Sequence, residues 1–180
     1  ELGVLGLTVP DTWGGTGMDA SAVAVVHEEL SAVDPGFTLS YLAHALLFAN
    51  NLAVNGSDAQ RERYLPDACS GARIGGMCMS EPGAGTDVLG MRTTARREGD
   101  TYVLNGAKMW ITNGAISDTE LGDVFLVYAR VVDAPRNRLS MFIVEKGFKG
   151  FSLGQKIKDK LGMRASTTAE LVFEDCEVPV

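Results

Sequence analysis

Two short stretches hold the residues best suited to chemistry. The first is Met77-Cys78-Met79-Ser80 running into Glu81-Pro82-Gly83-Ala84-Gly85-Thr86-Asp87. The second is Lys108-Met109-Trp110-Ile111-Thr112-Asn113-Gly114. A glycine-rich loop brings several backbone amides close together, and Ser80, Thr86 and Thr112 add hydroxyls. A flat heteroaromatic ring needs that combination: donors for its edge atoms and an aromatic or apolar wall for its face. Trp110 offers the wall, and Thr112, two residues on, falls on the same side of a strand. A hairpin with a buried tryptophan and a tight Gly/Pro loop would use the same residues with no ligand at all. Composition does not separate the two readings.

Other chemistries are excluded more firmly. Gly83-Ala84-Gly85 has two glycines of the dinucleotide fingerprint, but it follows a helical region and leads into strands, which argues against a Rossmann site. No phosphate-binding Walker loop, paired-histidine zinc motif or Gly-x-Ser-x-Gly elbow occurs. His27 and His44 fall on helical runs and read as ordinary helix residues. Cys69, Cys78 and Cys176 are odd in number and far apart, so they form neither a disulfide framework nor a zinc site, and a reducing compartment is expected. A net charge of −7 argues against nucleic acid or an anionic membrane as partner. No uninterrupted apolar run approaches the roughly 18 residues of a membrane span, so none is expected.

The elements that must position these residues change character along the chain. Leu5 to Pro10 enters a glycine-rich loop, and Asp19 is placed to cap the helix that follows. In that helix Ala22, Val23, Val25, Val26, Leu30 and Val33 recur at helical spacing, and Pro35-Gly36 is expected to end it. A second run over about 37–54 is apolar on nearly every side and stops at Asn55-Gly56. Ser57 and Gln60 have the spacing of a capping box for a third helix, which ends between Pro66 and Gly71.

After Arg73 the period becomes that of strands, expected over 91–97, 101–104, 108–112, 124–130, 139–145 and 169–173. Glu98-Gly99-Asp100 and Asn105-Gly106 are expected to turn three of them into a tight meander. With no helices between strands, a parallel α/β sheet is excluded. The fold class is therefore α+β in two segregated parts. A partial, all-α N-terminal domain covers 1–71, and an antiparallel β-barrel or sandwich covers 72–180.

Ordered motifs over nearly the whole chain resemble the acyl-CoA dehydrogenase family. They begin with Val9-Pro10 and Gly14-Gly15-x-Gly17. Next come Met79-Ser80-Glu81-Pro82-Gly83-Ala84-Gly85-Thr86-Asp87 and Leu104-Asn105-Gly106-x-Lys108-Met109-Trp110-Ile111-Thr112-Asn113-Gly114. Phe142-Ile143-Val144-Glu145, Lys160-Leu161-Gly162-Met163-Arg164 and Phe173-Glu174-Asp175-x-x-Val178-Pro179 follow in the family's order. The wording is nearest to isovaleryl-type and other short- or branched-chain members.

The resemblance implies FAD as cofactor and α,β-dehydrogenation of an acyl-CoA thioester, with electrons passing to an electron-transferring flavoprotein. It places Met77, Met79 and Ser80 at the flavin's pyrimidine end, with Gly85 and Thr86 in the adjoining loop. It sets Trp110, Ile111 and Thr112 against the ring and its N5. Thr86, where many members have serine, also touches the acyl-CoA. Position 77 is aromatic in some members, which leaves the side-chain role of Met77 open. Arg136, Asn137 and Arg138 lie where relatives face the CoA phosphates; Arg138 is taken as a substrate contact, although a solvated turn fits equally. Lys156, Lys158 and Lys160 read as a wet edge.

No catalytic residue is assigned within the chain. The family places its glutamate base in a C-terminal helical domain, so the base is expected beyond Val180. Glu81 reads as a loop anchor. Both ends of the chain read as cut, and the 180 residues alone are expected to be inactive. A homotetramer is expected, in the cytoplasm of a bacterium or the mitochondrial matrix of a eukaryote. Alternatives on the same scaffold are an acyl-CoA oxidase, a flavin monooxygenase or a non-catalytic binding module.

Overall fold

A computed structural model describes residues 2–132, 134–135 and 138–180, so Arg136 and Asn137 lie outside the described residues. The chain divides into two compact units, Glu1–Gly76 with Asp159–Ser166, and Met77–Lys158 with Thr167–Val180.

The first unit is helical. Helix α1 spans Ala20–Val33. Asp19 caps it by accepting from the Ser21 and Ala22 amides. Pro35-Gly36 does more than end α1. Asp34 caps a new helix, accepting from Gly36 and Phe37, with Pro35 in the first turn where its missing N–H costs nothing. Helix α2 (Pro35–Leu42) passes without a break into π-helical turns over Ala43–Asn50 and then α3 (Asn51–Asn55).

Residues 35–55 form a helical run of 21 residues that is long and apolar enough to cross a membrane by length and composition. In this fold Tyr41, Phe48 and Leu52 of that run are buried in the helical unit. The capping box is present: the Gln60 amide donates to Ser57 Oγ and the Ser57 amide to Gln60 Oε1. It opens α4 (Asp58–Ser70). No residue of α1 is buried, and Val25 and Val33 are exposed.

The second unit is built on a sheet of seven strands: β1 (Gly75–Cys78, of which the unit holds Met77 and Cys78), β2 (Thr94–Glu98), β3 (Thr101–Thr112), β4 (Val124–Val131), β5 (Leu139–Glu145), β6 (Phe151–Lys156) and β7 (Thr168–Pro179). Their order is β1-β4-β2-β3-β7-β6, with β5 also paired to β4. The β2/β3, β3/β7, β4/β5 and β6/β7 pairs are antiparallel, and the short β2/β4 contact is parallel. These four antiparallel pairs and one parallel seam make the sheet mixed. Its core gathers Leu104, Ile111, Phe125, Val127, Phe151, Leu171 and Phe173. The rings of Phe151 and Phe173 stack at 5.1 Å and Phe125 meets Phe151 edge-on at 5.7 Å, both favourable aromatic geometries.

Two sequence expectations fail here. Asn105-Gly106 is not a hairpin turn. It is a register shift inside the single twelve-residue strand β3, where Leu104 pairs with Cys176 and Gly106 with Phe173. Gly106 has φ 145°, and a Cβ there would lie 2.6 Å from Thr93 Oγ1. Asn-Gly supports positive φ in a bulge as well as in a turn, so the dipeptide alone cannot distinguish them. Strand β6 was not anticipated, because Phe151-Ser152-Leu153-Gly154-Gln155-Lys156 is too polar to read as a strand without its partner β7.

Candidate functional site

The candidate site is built where β1 runs out and β3 breaks its register. On β1, Cys78 enters the core completely while Met77 and Met79 on either side stay half-buried. On β3, a second register shift falls between Lys108 and Ile111, which pair with Leu171 and Ala169 of β7. The bulge has a physical signature: Trp110 has φ 62°, a left-handed conformation that is rare for a bulky side chain. The indole is 54% exposed, so Trp110 is not the buried core residue of a ligand-free hairpin. Ile111 is buried in the core, so only its main chain can reach a ligand, while Thr112 remains half-buried.

Direct bonds join the two edges. The Met109 amide donates to the Ser80 carbonyl at 2.9 Å. Lys108 Nζ donates to the Met79 carbonyl at 3.1 Å and to Glu81 Oε1 at 2.8 Å. The Glu81 carboxylate also accepts from the Arg92 amide at 2.6 Å and the Thr93 amide at 2.9 Å. Arg130, from β4, closes the loop from the other side by donating to the Leu89 and Met91 carbonyls. The loop carrying Gly83, Gly85 and Thr86 is therefore held at both ends, and Gly85 and Thr86 stand exposed between them.

Glu81 and Lys108 are the only buried acid and the only buried lysine or arginine among the described residues. Burial pushes the Glu81 carboxyl up, but the Arg92 amide, Lys108 and Thr93 more than reverse this and hold it down at about 2. Burial pushes Lys108 down, and Glu81 only partly offsets that. The two shifts pull in opposite senses on the pair. The geometry decides for an ionised pair at neutral pH, because three donors converge on one carboxylate. Neighbouring Cys78 is raised far above the usual thiol range by burial. All three cysteines are free and buried, and none is placed to act as a nucleophile.

Of the expected site residues, Met79, Ser80, Trp110, Ile111 and Thr112 are thus brought to one place, with Met77 on the same strand and Gly85 and Thr86 on the adjoining loop. Arg138 is exposed just before β5, and no contact among the described residues joins it to that group. Lys156 and Lys158 both pair with Asp118. Sequence reading passed over Lys108, although one signal was available: a lysine in an otherwise apolar strand segment, opposite a loop with a lone glutamate.

The residues fit a flat ring. A Cβ on Gly83 or Gly85 would meet nothing within 4 Å, and neither glycine has a positive φ. The chain's own packing does not require glycine there, whereas close approach of a ligand to bare backbone would. An exposed indole on a positive-φ bulge is open for such a ring to stack on.

This helical-then-β chain matches a known class. Residues 76–176 match the family described as acyl-CoA dehydrogenase, middle domain, and residues 1–72 match acyl-CoA dehydrogenase, N-terminal domain. The chain belongs to the acyl-CoA dehydrogenase family. It is 49% identical to the mitochondrial isovaleryl-CoA dehydrogenase of Pongo abelii, over 99% of this chain and 42% of that protein. It therefore spans less than half the length of that relative.

Among solved structures, it resembles an acyl-CoA dehydrogenase complexed with FAD from Bacillus anthracis. The TM-score is 0.88 at 38% identity, over 99% of this chain and 29% of that one. A prolyl acyl carrier protein oxidase is also similar, with TM-score 0.89 and 35% identity, over 99% of this chain and 46% of that one.

Proposed function

We propose that the protein carrying this chain is an FAD-dependent acyl-CoA dehydrogenase acting on a short or branched acyl-CoA, and that this chain supplies much of the ring-binding side of its active site. The observation that carries the reading is the pairing of the Ser80 edge with the exposed, positive-φ Trp110 across the Met109 amide bond. Met77, Met79 and Ser80 would hold the pyrimidine end, Gly85 the loop beside it, and Trp110, Thr112 and the Ile111 main chain the ring face and N5 region. Thr86, exposed on the loop, would meet the acyl-CoA, and Arg138 its phosphates, where planar donors suit the geometry.

When bound, FAD would accept the hydride released as the α-proton of the thioester leaves. The proton acceptor is not among these residues. Glu81 cannot serve, because its carboxylate is saturated by two amides and Lys108 and is too weak a base at a pKa of about 2. Electrons would pass to an electron-transferring flavoprotein, and the intact protein would assemble as a tetramer.

The test is FAD uptake by the intact protein together with isovaleryl-CoA and butyryl-CoA oxidation in the presence of the electron-carrier flavoprotein. A protein that stays colourless after incubation with FAD would sink the reading. Similarity to an acyl carrier protein oxidase supports a second reading, in which oxygen takes the electrons. Oxygen consumption without the carrier flavoprotein separates the two.

A further inference from the structure

Lys108 is fully buried in a β-sheet domain, and one of its contacts is not with its counter-ion. Its ammonium donates to the Met79 carbonyl at 3.1 Å as well as to Glu81 at 2.8 Å. The Met79 carbonyl and the Ser80 N–H belong to one peptide group, and in a trans peptide they point in opposite directions. No cis peptide bond occurs among the described residues. With the oxygen turned inward onto Lys108, the Ser80 N–H is turned away from it, on the half-buried edge formed by Met79 and Ser80. A cation on the oxygen draws electron density through the peptide and makes that N–H a stronger donor, and the low dielectric of a buried site magnifies the effect.

We propose that Lys108 is a positioning residue that acts through the Met79–Ser80 peptide, strengthening the Ser80 amide as a donor to the edge of the flavin ring, with Glu81 as the counter-charge that limits the effect. The inference rests on the flavin reading above. The roles of the two partners are opposite in sign. Lys108 adds positive field at the ring's pyrimidine end, where a reduced flavin carries more negative charge than an oxidised one, so it favours reduction. Glu81, bonded to the same ammonium, subtracts from that field. A pair with only a structural role would treat the two losses alike, since either leaves one buried charge without its partner.

The test is the midpoint potential of the flavin in the intact, FAD-loaded protein, read by spectroelectrochemical titration with the absorption spectrum followed throughout. Lys108→Met is expected to shift the potential to more negative values and to weaken FAD binding at least tenfold. Glu81→Gln keeps the cation and removes its counter-charge, and is expected to shift the potential the opposite way. The double variant removes both charges together, leaves no orphan charge, and is expected to fall between the singles. Shifts of the same sign in both singles, or potentials unchanged from the wild type, overturn the proposal. Should Lys108→Met fail to fold, Glu81→Gln decides by itself, because an unchanged or more negative potential there also overturns it. A wild-type protein that takes up no FAD removes the flavin reading and this inference with it. A loaded wild type whose variants shift together removes this inference alone.

Discussion

At the residue scale, Trp110 carries two opposing requirements. Its left-handed backbone suits glycine, and its exposed indole is useful only if something stacks on it. Trp110→Gly would relieve backbone strain of roughly 1–2 kcal/mol and add about 0.5–1 kcal/mol of chain entropy cost. Stability of the intact protein should therefore change by no more than about 1 kcal/mol in urea denaturation, whereas FAD affinity should fall at least tenfold. An equal loss of both would mean that the indole serves packing.

The carboxylate of Glu81 gives a second expectation, with its sign set by linkage. The folded-state value of about 2 lies below the ordinary 4.5. Between these values the unfolded chain binds a proton that the folded chain does not, so stability rises with pH across the window. The contribution, roughly 3 kcal/mol, is complete above pH 4.5 and lost as pH falls toward 2. Glu81→Gln should flatten that part of the stability–pH profile.

At the scale of elements, β3 is where the sequence is most easily misread. Its two register shifts, at Gly106 and before Ile111, turn an apparent hairpin into one bent strand that faces β2, β7 and the site at different points. Gly106→Val would force a β-branched side chain onto a φ of 145° and against Thr93. It should cost about 3 kcal/mol in chemical denaturation and shift the Trp110 fluorescence, because the second bulge depends on the first for its register.

In the helical unit, His44 is a tertiary bridge, beyond the ordinary helix residue its sequence position suggests. Buried in the π-helical turns, it accepts at Nδ1 from the Gly75 amide at 2.9 Å and its Nε2 donates to the Ala68 carbonyl at 3.0 Å. Both bonds together fix the Nε2–H tautomer. Burial lowers its pKa, in keeping with a neutral ring.

At the scale of the whole molecule, both acids of the loop beside the proposed ring-binding edge are engaged. Glu81 is clamped, and Asp87 is exposed and caps the Gly90 amide. Residues 1–180 by themselves, supplied with FAD and isovaleryl-CoA, should therefore show no dehydrogenation above background. Steady turnover from that polypeptide would mean that one of these acids acts as the base. The exposed Val25 and Val33 of α1 belong to the same picture of a helical unit whose apolar residues are not all covered within this chain.

The amino-acid sequence by itself determined the helical-then-β order of the two parts, the caps at Asp19 and Ser57, and the family. These depend on local chemistry: side-chain oxygens meeting amides a few residues away, and apolar spacing read along one segment. It also marked Ser80, Thr86, Trp110 and Thr112. Only the tertiary structure decided that Asn105-Gly106 is a bulge, that Trp110 faces outward, and that Lys108 lies buried beneath Met79 and Glu81. Register and burial are set by partners far along the chain: Lys108 by a carbonyl 29 residues earlier and an acid 27 residues earlier, and β3 by β7. A one-residue shift between strands changes which face a side chain occupies, and no local pattern records that shift.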